Sequence, residues 1–368
     1  ETIKDVDGIA GNNFTGRRSH YIIEERVADS KKLHINTTYN TSFNDNFQFS
    51  AGAGIMDQRT NYFKRVKDLL GGDFYVDINQ YAEQDFADSL NFIQNDVNRP
   101  NRILKEGDRF GYDYDASIFR ANLWTQGQWK FDKIDLFAAV ELSQSSYYRT
   151  GNVKNGLFQD NSFGESEKQS FSNYSIKTGI TYKIDGRNYL FANASSATRA
   201  PYFENAFVSA RTRNQLAPNL VNEKIISVEG GYLLRAPRTK GRLVGYFTQF
   251  SDQTNTVSFY HSDYRNFVNY TLTNVDKRHA GIEFAIDQNL GNGFSMTAVA
   301  AVGQYYYTDR PLATITIDNT SQTLADGEVV YAKNFYVGGT PQSAYTLGIN
   351  YRAKKFWFVN LGVLQKLY

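Results

Sequence analysis

The sequence contains no cysteine, and only two methionines and six prolines occur among its 368 residues. Without thiols the chain can form no disulfide bond, no thiolate zinc site and no cysteine nucleophile. It also lacks any run of about 18 apolar residues, the length that a helical membrane span needs. A disulfide-stabilised scaffold, a thiolate metalloprotein and a helical membrane protein are therefore excluded.

Net charge and histidine are also sparse. Lys and Arg total 40 against 38 Asp and Glu, which leaves +2, so nucleic acid is not an expected partner. The four histidines (His20, His34, His261 and His279) have no Gly-x-Ser-x-Gly motif beside them. Asp5-Val6-Asp7-Gly8 lacks the later acidic ligands of a calcium loop. We predict no enzyme activity, no cofactor and no metal.

What the chain has in abundance is alternation of apolar and polar residues. Every second residue is apolar or aromatic in Ile282–Ile286 and in Tyr345–Tyr351. The alternating series includes one threonine in Ile176–Ile184 and two in Leu33–Phe43. Such segments are typical of β-strands with one wet face. The other face must be hidden, either in a packed core or in a lipid bilayer.

The composition favours the bilayer. The chain has 26 Tyr and 27 Phe with a polar mean hydropathy of −0.51. Transmembrane barrels combine a polar interior, an apolar outer wall and aromatic girdles in this way. We predict an all-β fold, an antiparallel transmembrane β-barrel segment with long extracellular loops and short periplasmic turns.

The expected strands and loops sort by length. Turn residues divide the chain into about thirteen strands, joined alternately by short turns and by long loops. Bacterial single-chain barrels close with an even number of strands, so about thirteen strands predict an incomplete barrel. The strands are Ser19–Val27, Lys32–Phe43, Phe47–Gln58, Tyr112–Phe131, Ile134–Tyr148, Phe171–Ile184, Tyr189–Ser196, Lys224–Arg235, Arg242–Ser251, Val275–Gln288, Phe294–Tyr307, Ala344–Ala353 and Phe356–Leu364, and the long loops are 59–111, 150–170, 197–223, 252–274 and 308–343.

The longest loop shows helical periodicity. Phe63, Val66 and Leu70 lie at helical spacing before Gly71-Gly72, and a second series runs from Phe86 to Val97. Two short helices are predicted in loop 59–111. They either pack the loop against the barrel mouth or cover a ligand site.

The stretch 189–232 resembles the central barrel signature of TonB-dependent outer-membrane transporters. A strand ends in Thr198-Arg199-Ala200-Pro201, a loop carries Pro218-Asn219-Leu220 and Glu223-Lys224, and the next strand contains Glu229-x-Gly231-Tyr232. Ala280–Glu283 and Gly339-Thr340-Pro341 resemble later strand starts of the family. The style of the loops, with Asp73–Asp77 and Asn155–Phe158, is most similar to the transporters of Bacteroidetes-type bacteria.

The resemblance implies a barrel of about 22 strands whose lumen holds a plug. Neither a plug nor a coupling motif is found, so residues 1–368 are interpreted as a partial barrel of a cell outer membrane importer. The implied partners are the lipid bilayer, a TonB-type energy-transducing complex acting through the plug, a small nutrient ligand and a surface lipoprotein. The ligand is a siderophore, a cobalamin-like cofactor, an oligosaccharide or a peptide.

Two other functions stay open at this point. One is a passive outer-membrane pore or structural barrel without a plug. The other is a secreted all-β binding protein, such as a lectin. Sequence upstream of Glu1 would separate the first from an importer, and detergent partitioning would identify the second.

Candidate ligand-binding residues lie where strands pass into long loops. Aromatic belts put tyrosine at that level for interfacial reasons, but inward-facing members can stack a sugar ring or a flat chelate beside arginine. By resemblance, Arg199 lies at a wall-to-loop junction and forms a salt bridge or a plug contact. The candidates are Tyr147, Tyr148, Arg149, Arg199, Tyr305, Tyr306, Tyr307 and Arg310.

The charged members of the alternating strands predict which face meets water. If that face lines the lumen, their apolar neighbours, such as Ile180 and Ile282, contact lipid. The charged residues are Lys177, Lys183, Glu229, Glu283, Asp287 and Arg352.

Overall fold

A computed structural model describes residues 1–320 and 322–368, and in them one antiparallel sheet forms the wall of the molecule. Each long strand pairs with the next along the chain. Across the described residues the strands are β1 Ile23–Asn44, β2 Phe47–Asp68, β3 Arg109–Lys130, β4 Ile134–Gly151, β5 Gln169–Lys183, β6 Asn188–Arg199, β7 Glu223–Arg235, β8 Thr239–His261, β9 Asn266–Gly291, β10 Phe294–Tyr307, β11 Ser343–Arg352 and β12 Phe358–Leu367.

Short strands and helices lie at one end of this wall. Leu312–Ile317 pairs with the loop end of β9 and with Thr323–Val329, and Gly164–Glu165 pairs with the last residues of β4. Two small ribbons stand apart from the sheet, Thr2–Ile3 with Phe14–Thr15 and Tyr75–Val76 with Ile103–Leu104. The helices are α1 Gln80–Phe86 and α2 Phe203–Ala206, with single 3₁₀ turns at Val6–Gly8 and Gly156–Phe158. No helix in the described part of the chain is long and apolar enough to cross a membrane.

Tight turns close the hairpins at the other end. Asn292 and Gly293 join β9 to β10 with φ angles of 51° and 86°, the left-handed geometry that Asn-Gly supplies in a two-residue hairpin. Between β5 and β6 the Asp185 carboxylate accepts hydrogen bonds from the amides of Arg187 (2.7 Å) and Asn188 (2.8 Å). Local turn chemistry therefore fixes the register of these pairs.

The sheet has one charged face and one apolar face, as predicted. The register places Asn193 beside both Gly179 and Glu229, and its side-chain amide donates to the Glu229 carboxylate at 2.8 Å. On the opposite face Ile35, Leu123 and Ile282 are about 60% exposed. No second layer of the described chain covers these aliphatic side chains, so a soluble two-layer core is not what hides them.

Aromatic side chains gather on the apolar face beside the tight turns. Phe47 stacks on Phe43 and on Trp129, with ring centroids 5.5 and 5.1 Å away. At the far side of the sheet Tyr351 contacts Phe294 at 4.5 Å and Trp357 at 5.2 Å. This row of rings matches the girdle of a transmembrane barrel.

On the charged face, large rings lie flat over glycines. A Cβ at Gly281 would stand 2.7 Å from the Tyr246 hydroxyl, and one at Gly303 would stand 2.9 Å from the Tyr305 ring. The two tyrosine hydroxyls are 2.6 Å apart. Glycine is needed here because a side chain would displace the rings.

Two predictions of strand boundaries are wrong, each because a strand is longer than expected. Ser19–Val27 and Lys32–Phe43 are not two strands, since β1 runs unbroken over Ile23–Asn44, so the described wall has twelve long strands, not thirteen. The predicted loop 252–274 is strand instead, for β8 and β9 continue past an irregularity near Gln253 to a turn at residues 262–265.

The predicted helices of loop 59–111 are also misplaced. Phe63 and Val66 belong to β2, where both side chains are buried, and Leu70 has a φ of 53°. The second helix is α1, which ends at Phe86, where the predicted series begins. In neither place does the three-to-four-residue spacing reflect helical geometry.

Candidate functional site

Buried side chains concentrate at the loop end of the sheet. Phe74 and Leu104 are fully buried in the loop that follows β2, and Phe203 and Phe207 are buried where α2 packs on the wall. The loops are therefore packed, ordered structure. Their side chains can hold a fixed geometry.

Helix α1 bridges from its own loop to the tall β8–β9 hairpin. Asn79 caps the helix by accepting from the amides of Tyr81 and Ala82. The Tyr81 ring meets Phe267 edge-on at 5.2 Å, and the Asp85 carboxylate accepts from the amides of Asn266 (3.2 Å) and Asn319 (3.1 Å). Three separate loops are joined at this point.

The loop after β6 is anchored by two buried arginines. Arg149 donates to the carbonyls of Ala210 (2.6 Å) and Ser162 (2.8 Å), and Arg213 forms an ion pair of 3.0 Å with Asp318. Because Arg211 lies between these anchors, its position is set by both.

An open cleft of about 350 Å³ lies among these loops. The aromatic rings of Tyr75, Tyr81, Tyr112 and Phe267 contribute to its lining, together with three cations. The cleft is thus a stacking surface with positive charge. The cations are Arg26, Lys64 and Arg211.

Two carboxylates, Glu24 and Asp318, line the cleft beside the three cations, and Asp318 is paired with Arg213 outside the lining. Glu24 is shared, since its two oxygens contact Arg26 and Lys64 at 2.8 Å each. Arg211 packs 5.6 Å from the Phe267 ring centroid, and within the described residues no carboxylate lies within 4.0 Å of it. Arg211 is therefore free to meet an anion.

A buried carboxyl supports the floor of the cleft. Asp77 is 4% exposed and accepts from the Asn95 amide (2.8 Å) and the Gly111 backbone N–H (3.0 Å). Burial raises the pKa of Asp77 above its ordinary value, against the opposing effect of these hydrogen bonds and of Arg102. Burial likewise raises the pKa of Tyr75.

The first predicted cluster lies beneath the loops, outside the cleft lining. Tyr147 is buried against Phe171 and Phe203, with centroids 5.6 and 6.0 Å away. Tyr148 points to the opposite face of the strand, and Arg149 is 1% exposed. Tyr147 and Arg149 therefore hold the loops together from below.

The second predicted cluster lies on β10, which five intervening strands separate from β4 in the sheet. Tyr305 and Tyr307 share the charged face, whereas Tyr306 points outward and accepts from Arg278 at 3.3 Å. Arg310 is exposed, 5.0 Å from the ring centroid of Tyr331. The structure therefore does not bring the two tyrosine clusters together.

Arg199 stands apart from both clusters. Its guanidinium contacts Glu223 at 2.5 Å and donates to the Tyr202 hydroxyl at 2.8 Å. Glu223 is almost completely buried. The ion pair of Arg199 with Glu223 is thus a wall-to-loop salt bridge, one of the two roles that the resemblance to TonB-dependent transporters implies for Arg199.

Sequence reasoning missed the residues that line the cleft. Arg26, Lys64, Tyr112, Arg211 and Phe267 come from five separate segments, and no local motif connects them. Within the described residues no group of three or more His, Cys, Asp or Glu is arranged to hold a metal ion.

A comparison with known protein families identifies the family of this chain. The family described as TonB dependent receptor-like, beta-barrel, matches residues 6–367. The chain belongs to this family. Proteins of the family are outer-membrane proteins. No curated protein sequence matches the chain.

Solved structures share this fold. A siderophore receptor, PiuA from Acinetobacter baumannii, superposes with a TM-score of 0.59 at 11% identity, over 93% of this chain and 46% of the receptor. The copper transporter OprC gives 0.58 at 13% identity, over 93% and 48%. The ferric-catecholate import receptor Fiu from E. coli K12 gives 0.53 at 14% identity, over 93% and 44%. The chain therefore spans about half the length of these receptors.

Proposed function

We propose that the chain is part of the wall and mouth of an energy-coupled outer-membrane importer. The single observation that carries this proposal is the uncovered aliphatic face, since Ile35 and Ile282 are both about 60% exposed. Such a face is stable in contact with acyl chains and costly in contact with water. Membership of the TonB-dependent receptor family supports the same setting.

The intact importer is proposed to contain parts beyond the described wall. In this proposal β1 and β12 pair with further wall strands, a plug fills the lumen, and a TonB-type complex moves the plug. The coverage of 44% to 48% of solved receptors supports this. The loop style of Asp73–Asp77 and Asn155–Phe158 supports a Bacteroidetes-type transporter with a surface lipoprotein as partner.

The cleft is proposed to bind an anionic ligand with flat or ring-shaped parts, such as a metal chelate. Tyr81, Tyr112 and Phe267 offer stacking surfaces, and Arg211 offers charge-assisted hydrogen bonds that no carboxylate of the described chain already uses. A neutral oligosaccharide would leave that guanidinium unpaired. Charge therefore favours the chelate over the sugar.

Binding of ferric chelates to the intact protein tests this proposal. Arg211→Ala should weaken binding of an anionic ferric catecholate by about tenfold or more, because a hydrogen bond to a charged group contributes roughly 1.5–3 kcal/mol. Arg187→Ala, in the exposed turn before β6, is the matched control and should change nothing. Tight binding of a neutral oligosaccharide, unaffected by Arg211→Ala, would refute the anionic-ligand assignment.

A further inference from the structure

A second open cavity, the side cavity, adjoins the cleft beside Arg18 and Glu83 and has a volume of about 380 Å³. It shares four lining residues with the cleft, so the two lie side by side. The cleft alone, at about 350 Å³, is near the lower end of the range of small-molecule sites, about 300–1,000 Å³. A ligand too large for the cleft therefore has room to extend into the side cavity. The shared residues are His20, Tyr21, Tyr75 and Gln80.

Helix α1 lies at the boundary between the two cavities. Tyr81 lines the cleft, Glu83 and Gln84 line the side cavity, and Gln80 lines both. Gln80 also donates to the Tyr75 hydroxyl at 2.9 Å, so the boundary has a fixed geometry. The Cβ atoms of residues three apart on a helix are about 5–6 Å from each other. A ligand arm that passes Gln80 therefore comes within reach of Glu83.

The side cavity contains a carboxylate without a partner. Its arginine, Arg18, pairs with Glu1 at 2.8 Å. Within the described residues the Glu83 carboxylate has no cation within 4.0 Å and accepts no hydrogen bond. The cleft shows the reverse, because there the Arg211 guanidinium has no carboxylate partner. The two cavities therefore favour opposite charges.

We propose that the ligand carries both charges: an anionic ring system that lies in the cleft against Arg211, and a flexible arm with a primary amine that lies in the side cavity against Glu83. An ammonium group has three N–H donors. One can go to the Glu83 carboxylate and the others to the side-chain carbonyls of Gln80 and Gln84. A chelate whose ring groups are joined by a short peptide with a lysine side chain has both parts. This inference rests on the proposed function of the cleft and adds the second half of the ligand.

Two synthetic ferric tris-catecholates that differ in a single group test the inference on the intact protein. One carries a lysine arm, and the other carries the same arm with its amine acetylated. Wild-type protein should bind the amine form about three- to fivefold more tightly, the effect of an ion pair at an exposed carboxylate. Glu83→Gln should abolish this preference. Asp88→Asn, exposed two residues beyond α1 and outside the lining of both cavities, is the matched control and should keep it.

Three results would overturn the inference. Equal affinity of the wild-type protein for the two chelates would show that the amine is not recognised. A preference that survives in Glu83→Gln would place the amine elsewhere, and equal weakening of both chelates would mean that Glu83 only supports the cleft. Heat-dependent gel migration confirms that each variant is folded.

Arg211→Ala separates this inference from the proposed function. It should weaken both chelates alike. If it weakens neither while Glu83→Gln removes the amine preference, the anionic assignment of the cleft fails and the amine site stands. If it weakens both while Glu83→Gln changes nothing, the amine site alone is wrong.

Discussion

Arg213 and Asp318 form an ion pair of 3.0 Å that joins the loop after β6 to the loop after β10. The guanidinium is 1% exposed, and Asn269 donates to the same carboxylate oxygen at 2.9 Å. A buried pair of this kind gives little net stability compared with an apolar packing, but it is costly to break. It therefore determines how these two loops meet beside the cleft.

Removing the acid should release both loops. Asp318→Ala leaves the buried Arg213 charge without its partner, which costs roughly 3–5 kcal/mol. We expect faster proteolytic cleavage within residues 200–222 and weaker ligand binding, with the wall intact by heat-dependent gel migration. Asp309→Ala, exposed in the same loop as Asp318, is the control. Identical cleavage rates in the two variants would contradict this role.

The two faces of β9 should tolerate charge very differently. Ile282→Arg places a cation among acyl chains and should cost roughly 2–4 kcal/mol in a membrane-folding assay if the site lies near the middle of the bilayer. Glu283→Gln, one residue along on the charged face, should cost much less. Equal costs would mean that the faces are wrongly assigned.

Loop stability near Asp77 should rise as the pH falls. Because burial raises the pKa of Asp77 in the folded loop, the folded state binds a proton more tightly than the unfolded state. The loop therefore gains stability as the pH falls through the pKa of Asp77 in the folded state. The full gain is present below the ordinary aspartate pKa of 3.8.

Hydrogen exchange measures this effect directly. The protection factor of the Gly111 amide, which donates to Asp77, should increase on acidification in wild type and stay level in Asp77→Asn. A wild-type protection factor that falls with pH would reverse the sign and disprove the assignment.

Helix α1 should control how fast a ligand leaves the cleft. Tyr81→Ala removes the edge-to-face contact with Phe267, and an aromatic pair contributes about 0.5–1.5 kcal/mol beyond its buried area. Ligand dissociation should therefore accelerate by roughly three- to tenfold in a stopped-flow assay. Tyr264→Ala, in the turn at the tip of the β8–β9 hairpin, is the control. An unchanged rate in Tyr81→Ala would show that α1 does not hold the ligand.

The wall could be predicted from the sequence because each strand must show one face to water and hide the other. Alternation along Ile176–Ile184 and around Ile282 therefore predicts which face of the strand each residue occupies. The pair Asn292-Gly293 predicts a hairpin turn from local sequence alone. The resemblance around Arg199 further predicts that the barrel is that of a TonB-dependent transporter.

The cleft could not be predicted in the same way. Arg211 and Phe267 are far apart in the sequence, and they meet only because Arg149 and Arg213 anchor one loop while β8 and β9 extend above the expected membrane edge. The periodic signal that finds strands does not encode where loops pack. The apparent helical spacing of Phe63 and Val66 is misleading for the same reason, since both are buried residues of strand β2.

The most direct test uses the absence of cysteine from the chain. Single cysteines introduced along β9 from Ala280 to Ile286 in the intact protein, each carrying a nitroxide label in a lipid bilayer, report contact with acyl chains through their collision rate with oxygen. We predict high rates at Ala280, Ile282, Phe284 and Ile286, and low rates at the residues between them. A profile without this two-residue period would contradict the assignment of the apolar face to lipid.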